Sequence, residues 1–245
     1  MSKKLINEGK LLAGVPIEIP NMGIVYPPKL KDFMDFDFLE FKNVFSIRKE
    51  LIIDTIGENS EYYNKIKDFD LIPAFGKERT LIRALKLLYK TDDVKFLKDL
   101  YVVSIKVGNN KYYINRDNYT EFSNMILIML HDGNNIADEK VKEELTEFEL
   151  KAMRGRRKLE KKRAERRKER NEEENVITIF DIANYVMHSD ESRFDYQSIL
   201  DLTIYQLINT LNQYQAKEKY KTLMSYKTSS NFKVEENINH WFFGE

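Results

Sequence analysis

The sequence predicts an α+β fold that is mostly α-helical and is divided into three segments. Apolar residues recur at helical spacing in several stretches, two short β-branched or aromatic runs flank Gly/Asn turns, and a strongly charged stretch separates the front of the chain from its end. We therefore expect an N-terminal domain over residues 1–135 with helices and two short β-hairpins, a charged helical linker over 136–175, and a small helical bundle over 176–245.

The first hairpin is predicted near the N-terminus, where four of the five prolines are found. Ile17 and Ile19 alternate with Glu18, and Asn21–Gly23 can turn the chain into a second apolar run, Ile24–Tyr26. Prolines at the edges fit such a hairpin, because proline cannot donate a hydrogen bond to a central strand.

Helices and a second hairpin are predicted in the rest of the N-terminal segment. After Pro28, a stretch rich in Phe and Leu indicates one or two buried helices. Thr80–Lys90 has leucines at helical spacing, and Asn115–Asn118 can cap a helix that runs to about Leu130. Between those helices, β-branched and aromatic runs on either side of Gly108–Asn110 predict the second hairpin.

The C-terminal bundle is predicted from three apolar segments. Thr178–Asp181 fits a capping box, with Asp in place of Glu, at the start of a first helix. A second helix runs from about Ser198 to Tyr220, and a third, Glu235–Phe243, packs against the other two. The apolar stripe of the second helix consists of Leu200, Ile204, Leu207, Ile208 and Leu211.

Composition and motifs argue against an enzyme. The chain has no cysteine, which excludes disulfides, Cys-ligated zinc and a Cys nucleophile. Its histidines, His131, His188 and His240, are far apart in sequence, and no HExxH, GxGxxG or GxSxG pattern occurs. No apolar run approaches the roughly 20 residues that a membrane span requires. We expect a soluble cytoplasmic protein with no catalytic residues, no metal and no cofactor.

The linker raises nucleic-acid binding as an alternative. Between residues 151 and 170 there are twelve Lys/Arg against three Glu, and a basic helix of this kind neutralises phosphates. The interleaved glutamates, Glu160, Glu165 and Glu169, lower the local field and favour a solvated linker instead. The candidate nucleic-acid contacts are Arg154, Arg156, Arg157, Arg163, Arg166 and Arg167.

Four features resemble the tail assembly chaperones of siphophages and prophages of low-GC Gram-positive bacteria, which are encoded ahead of the tape measure protein. They are the opening GVPIEIPNMGIVYPPKLKDF, the charged spacer, the element DLTIYQL over 201–207, and the ending ENINHWF over 236–242. Both ends of the chain and their order match, whereas residues 50–135 match only in general character. One departure is Asn21–Gly23, which stands where the family has Gly-x-Gly.

The resemblance implies a non-enzymatic chaperone that keeps the tape measure protein soluble in the host bacterial cytoplasm until tail tube protein assembles around it. It also allows self-association, and it implies neither a membrane nor nucleic acid as partner. An amphipathic client helix would lie in a hydrophobic groove. The predicted partner-binding residues are Leu200, Ile204, Tyr205, Leu207, Leu211, Trp241 and Phe242.

Two other classes of protein stay open from the sequence. One is a structural virion protein of the tail, baseplate or connector, which would remain in the particle. The other is a phage regulator that binds nucleic acid through the basic helix 151–170.

Overall fold

The computed structural model describes residues 8–52, 61–131, 177–189 and 192–228. It is mostly helical with two small antiparallel sheets, which confirms the predicted α+β class. The helices are α1 (Glu8–Ala13), α2 (Phe38–Phe45), α3 (Glu61–Lys65), α4 (Leu71–Ala74), α5 (Glu78–Tyr89), α6 (Tyr119–Met129), α7 (Ile179–His188), α8 (Tyr196–Leu200) and α9 (Ile204–Thr228). Short 3-10 helices span Leu30–Phe33, Lys49–Ile52 and Asp68–Asp70.

The first predicted hairpin is confirmed. Strand β1 (Ile17–Ile19) pairs antiparallel with β2 (Gly23–Val25), and Ile17 lies opposite Val25. The turn places Asn21 at φ 61° and Gly23 at φ 84°, in the left-handed region that favours glycine. The residues of β1 alternate between buried and exposed, so one face of the hairpin packs on the core.

The second hairpin is also confirmed, but it belongs to a larger sheet. Strands β4 (Val102–Val107) and β5 (Asn110–Ile114) are joined through a turn in which Gly108 has φ 58°. A third strand, β3 (Val94–Leu97), pairs antiparallel with β4, and the sequence did not predict it. Its four residues are too few to show a clear alternation of apolar and polar side chains.

The aromatic residues that follow Pro28 pack as a core cluster around α2. The rings of Phe33 and Phe41 meet edge to face at 5.2 Å, and Phe45 joins this cluster to Phe122 of α6 at 6.0 Å. Within the described part of this stretch, up to residue 52, α2 is the one α-helix. It begins where the side chain of Asp37 accepts a hydrogen bond from the amide of Glu40, at 2.7 Å.

Helix α5 agrees with the predicted Thr80–Lys90 helix within two residues at each end, and α6 follows the predicted cap at Asn115–Asn118 and ends one residue before Leu130. Buried Tyr89 ties α5 to the first hairpin, because its hydroxyl donates to the carbonyl of Met22 at 2.7 Å. The amide of Tyr26 donates to the carbonyl of Leu88 at 2.8 Å and reinforces the same contact.

The C-terminal helices differ from the prediction in one respect. The capping box at Thr178 and Asp181 is present at the start of α7, which confirms that prediction. A single helix from Ser198 to Tyr220 is wrong, because the chain turns at 201–203 between α8 and α9. There Thr203 begins a new helix: its hydroxyl accepts from the amide of Gln206, and the Gln206 side chain accepts from the amide of Thr203.

Residues 28–31 are joined to residues 201–204 by a short backbone bridge that we call the clasp. Lys29 and Thr203 form an antiparallel bridge. The amide of Leu30 donates to the carbonyl of Leu202 at 2.9 Å, and the amide of Ile204 donates to the carbonyl of Pro28 at 3.0 Å. The buried apolar residues on both sides of the clasp form one continuous core.

Several predictions fall outside the described residues. They are the charged linker over 136–175, the terminal helix Glu235–Phe243, and all six arginines proposed to contact nucleic acid. The division of the chain at 135 and 175 stays a prediction. Within the described ranges, no helix is both long and apolar enough to cross a membrane.

Candidate partner-binding groove

A partly open groove of about 440 Å³ lies between the N-terminal half of the chain and its C-terminal helices. The start of α2 and the start of α7 both line it, together with Leu130 and Ile208. Its apolar lining consists of Phe33, Phe38, Leu39, Leu130, Ile177, Ile179, Phe180, Ile182 and Ile208. Its polar lining consists of Asp37, Lys42, His131 and Thr178.

The two walls are built in the same way, from a helix start fixed by a side-chain cap. Asp37 caps α2 and Thr178 caps α7. Each cap places an apolar residue at the second helical position, Leu39 in α2 and Phe180 in α7. Because a cap fixes where its helix begins, these two residues occupy set places along the groove.

The groove exposes large apolar side chains that the core does not cover. Leu39 is 47% exposed, Phe180 is 39% exposed, and Ile177, at the edge of the α7 wall, is 74% exposed. Single exposed apolar residues are common on protein surfaces, but several that line one concave groove mark a binding surface. The geometry therefore fits an apolar ligand surface rather than a small polar substrate.

Electrostatics near the groove stabilise its α7 wall. Hydrogen bonds from the side chain and backbone of Thr178 lower the pKa of Asp181, so this carboxylate stays charged at neutral pH. A negative charge in the first turn of a helix also interacts favourably with the helix dipole. The ionised Asp181 carboxylate therefore supports the capping box at the start of α7.

His131, which lines the groove, contacts the predicted partner-binding residue Tyr205. The ring of His131, which has φ 60°, lies 4.9 Å from the ring of Tyr205. Burial and the neighbouring Glu8 carboxylate raise the pKa of Tyr205, whose hydroxyl lies 3.2 Å from that carboxylate. Tyr205 thus links α9 to α1.

The structure places three of the predicted partner-binding residues in the core. Ile204 and Leu207 are fully buried and Tyr205 is 7% exposed, so these three side chains are not available to a partner in this conformation. Leu200 and Leu211 are half-buried and pack against the same core. The physical reason is that α9 uses this stripe to hold α7 and the N-terminal half together. Trp241 and Phe242 lie outside the described residues.

Sequence reasoning missed Leu39 and Phe180 as candidate contacts. Their signal is local: each is an apolar residue two positions after a helix cap, and neither belongs to the buried stripe of its helix. That both line one groove follows only from the tertiary contact between the two halves of the chain. Among the described residues, no group of three or more potential metal ligands occurs.

The C-terminal part of the chain matches a known domain family of phage origin. Residues 168–243 match the family described as YomV second domain, a phage-derived domain from a Bacillus prophage. The match is consistent with a phage protein. It includes the α7 wall and Ile208, whereas the α2 wall lies outside it. No curated protein and no solved structure matches the chain.

Proposed function

We propose that this protein is a non-enzymatic phage tail assembly chaperone that binds the tape measure protein and keeps it soluble in the host cytoplasm. The observation that carries the proposal is the groove, with Leu39, Ile177 and Phe180 left accessible at its walls. The phage-derived domain match and the resemblance at both ends of the chain support the phage context.

A groove between two helices suits an amphipathic client helix. Such a helix places apolar anchors at positions i, i+3, i+4 and i+7 on one face, and it is insoluble when that face stays exposed. Covering the face in the groove removes apolar surface from water on both partners, at about 25 cal/mol per Å². Many copies bound along one long client add avidity, so each contact can be weak and reversible.

Reversibility matters for the proposed role, because tail tube protein must displace the chaperone. A contact made mostly of apolar surface is not weakened by added salt, which distinguishes it from binding through the basic linker. Self-association along the client would follow from the same avidity. The client contact is assigned here to the groove, in place of the buried residues Ile204, Tyr205 and Leu207.

The test is capture from nuclease-treated, phage-producing cells with tagged protein, washed at low and high salt. We expect the wild-type chain to retain the tape measure protein through the high-salt wash. The double variant Leu39→Glu/Phe180→Glu should lose it, because two charges would face the apolar client. Glutamate in a first helical turn is compatible with both helices.

The matched control is Leu100→Glu, because Leu100 is 70% exposed and does not line the groove. It should capture as the wild type does. If the double variant folds and still retains the client, the groove is not the binding site. If wild-type protein captures no tape measure protein, or is found by mass in purified virions, the chaperone role is refuted in favour of a virion component.

A further inference from the structure

We propose that the open face of the β3–β5 sheet binds single-stranded nucleic acid, with Tyr113 stacked on a base and lysines in contact with the flanking phosphates. We call this surface the lysine face, and its side chains are Lys95, Ser104, Lys106, Lys111 and Tyr113. None of them lines the groove, so the inference is independent of the proposed client. The lysine face is also distinct in sequence from the basic stretch over residues 151–170.

The strand register places these five side chains on one side of the sheet. Lys95, Ser104 and Tyr113 form one row across the three strands, and Lys106 lies opposite Lys111 in the next row. Side chains two residues apart on a strand point the same way, so both rows face the same side. The residues that alternate with them on β4 and β5 point to the core, and three of these are fully buried: Val103, Ile105 and Ile114.

Two lysines of this face have no charged partner among the residues that the structure describes. Lys106 and Lys111 are both exposed and lie directly opposite each other, where like charges destabilise a strand pair. Lys95 pairs with Asp93 at 3.4 Å, and the carbonyl of Asp93 accepts from the amide of Lys106. Counting that neighbouring carboxylate, three lysines against one aspartate leave the face with a net charge of +2. Such a surface attracts a polyanion.

An exposed aromatic ring lies among these lysines. Tyr113 is 44% exposed, whereas Tyr112 points inward and stacks on Tyr89 at 6.3 Å. From the dimensions of a sheet, Tyr113 is about 7 Å from Lys111 along β5 and about 10 Å from Lys95 across β4. A nucleotide stacked on the ring can therefore place its phosphates near both lysines. Stacking on an aromatic ring combined with basic contacts to the backbone is how proteins hold single strands without reading their sequence.

Hydrogen bonds hold the backbone beneath the lysine face. The hydroxyl of Thr91 donates to the carbonyl of Lys106 at 2.8 Å, and the side-chain amide of Asn118 donates to the carbonyl of Tyr113 at 2.8 Å. A ligand therefore meets strands that are already in place, and little affinity is lost to ordering the backbone.

The side chains favour a nucleic acid over an acidic protein segment. An acidic segment would be attracted by the charges alone, while a base also gains stacking on the exposed ring. Lysine is a compact point charge that suits a phosphate, whereas bidentate recognition of carboxylates uses arginine. No arginine occurs between residues 94 and 114, which span the three strands.

The probe is a fluorescein-labelled oligothymidylate of about twelve nucleotides, titrated with the full chain at several salt concentrations. A glutamate-rich peptide of equal charge tests the acidic-protein alternative. Because the basic stretch 151–170 can bind the same probe, the site is located by ultraviolet crosslinking and mass mapping of the crosslinked peptide. We expect a crosslink at Tyr113.

Variants separate stacking from charge. Tyr113→Thr removes the ring but keeps a good strand former, and it should weaken binding about five- to a hundredfold with an unchanged salt dependence. Tyr113→Phe keeps the ring and should bind as the wild type does. Lys106→Gln/Lys111→Gln should weaken binding and reduce the slope of log K against log salt by about 1.4, at about 0.7 per phosphate. The matched control, Lys10→Gln/Lys227→Gln, removes the same charge from exposed positions off the sheet and should have a smaller effect.

A crosslink at Tyr113 together with the expected losses supports the inference. It is overturned if the probe does not bind, if crosslinks form only outside residues 110–114, or if Tyr113→Thr unfolds in urea like the wild type and binds the probe equally well. If the glutamate-rich peptide binds as tightly as the probe and Tyr113→Thr weakens neither, the face binds acidic protein and the inference is wrong. If the probe binds at Tyr113 but no tape measure protein is captured, the inference stands and the proposed function fails.

Discussion

Gly23→Ala should destabilise the protein by a few kcal/mol, because two independent features require glycine at this position. Gly23 has φ 84°, and an added Cβ would lie 2.6 Å from Cζ and 2.7 Å from Cε2 of Tyr112. That ring is half-buried and stacks on Tyr89 at 6.3 Å, so it cannot move freely. The first hairpin packs against the second sheet only because no side chain is present here.

The two costs can be estimated separately. A left-handed backbone costs a non-glycine residue about 1–2 kcal/mol. Overpacking adds about 1–3 kcal/mol, so we expect a total loss of roughly 2–5 kcal/mol from the free energy of unfolding. A loss of about 3 kcal/mol would lower Tm by roughly 6–12 °C in a protein of this size.

Urea unfolding of the wild type, Gly23→Ala, Tyr112→Leu and the double variant measures both costs. In a double-mutant cycle, Gly23→Ala should cost about 1–2 kcal/mol in the Tyr112→Leu background, since only the backbone cost remains. A loss below about 0.5 kcal/mol for the single variant would refute the close approach of hairpin and ring. If Gly23→Ala costs the same with Tyr112 and with Leu at position 112, the clash with the Tyr112 ring is not the cause of the loss.

Three further predictions follow from named contacts. Tyr89→Phe leaves the buried carbonyl of Met22 without its donor, and it should lower the free energy of unfolding in urea by about 1–3 kcal/mol. Thr203→Ala removes the cap of α9 and should cost about 1 kcal/mol in the same assay. Hydrogen bonds from Lys31 and Lys29 lower the pKa of Asp201 in the folded protein. The ion pairs should therefore stabilise the clasp fully above the ordinary pKa of an aspartate, and this stabilisation should be lost as the pH falls through the lowered pKa of Asp201. Asp201→Asn should abolish that pH dependence, measured by hydrogen exchange at the clasp amides.

Local sequence signals predicted most of the fold correctly. The turn at Asn21–Gly23, the turn at Gly108 and the cap at Thr178 each depend on residues a few positions apart. Such short-range rules need no knowledge of tertiary contacts. The fold class and the principal elements could therefore be inferred before any contact between distant residues was known.

The break between α8 and α9 was missed although its signal was present. Thr203 and Gln206 form a capping box, which marks a helix start. The apolar stripe continues at helical spacing through Leu200 and Ile204, so periodicity alone favoured one uninterrupted helix. The structure resolves the conflict because the clasp needs an extended backbone at Thr203 to pair with Lys29.

The candidate groove could not be predicted from the sequence. The apolar stripe has the periodicity of a binding surface and of a core alike: Ile204 and Leu207 are buried in the core, whereas Ile208 lines the groove. The groove is instead lined by both Leu39 and Phe180, which come from opposite halves of the chain. Only the packing of these halves brings the two residues to one cavity.

Co-expression with the tape measure protein tests the central claim most directly. The measurement is the soluble fraction of that protein when it is produced with the wild type, with Leu39→Glu/Phe180→Glu, or with Leu100→Glu. We expect the wild type and Leu100→Glu to keep it soluble, and the double groove variant, at equal abundance and with unchanged unfolding, to leave it in the pellet. Equal solubility with all three chains would contradict a chaperone that acts through this groove.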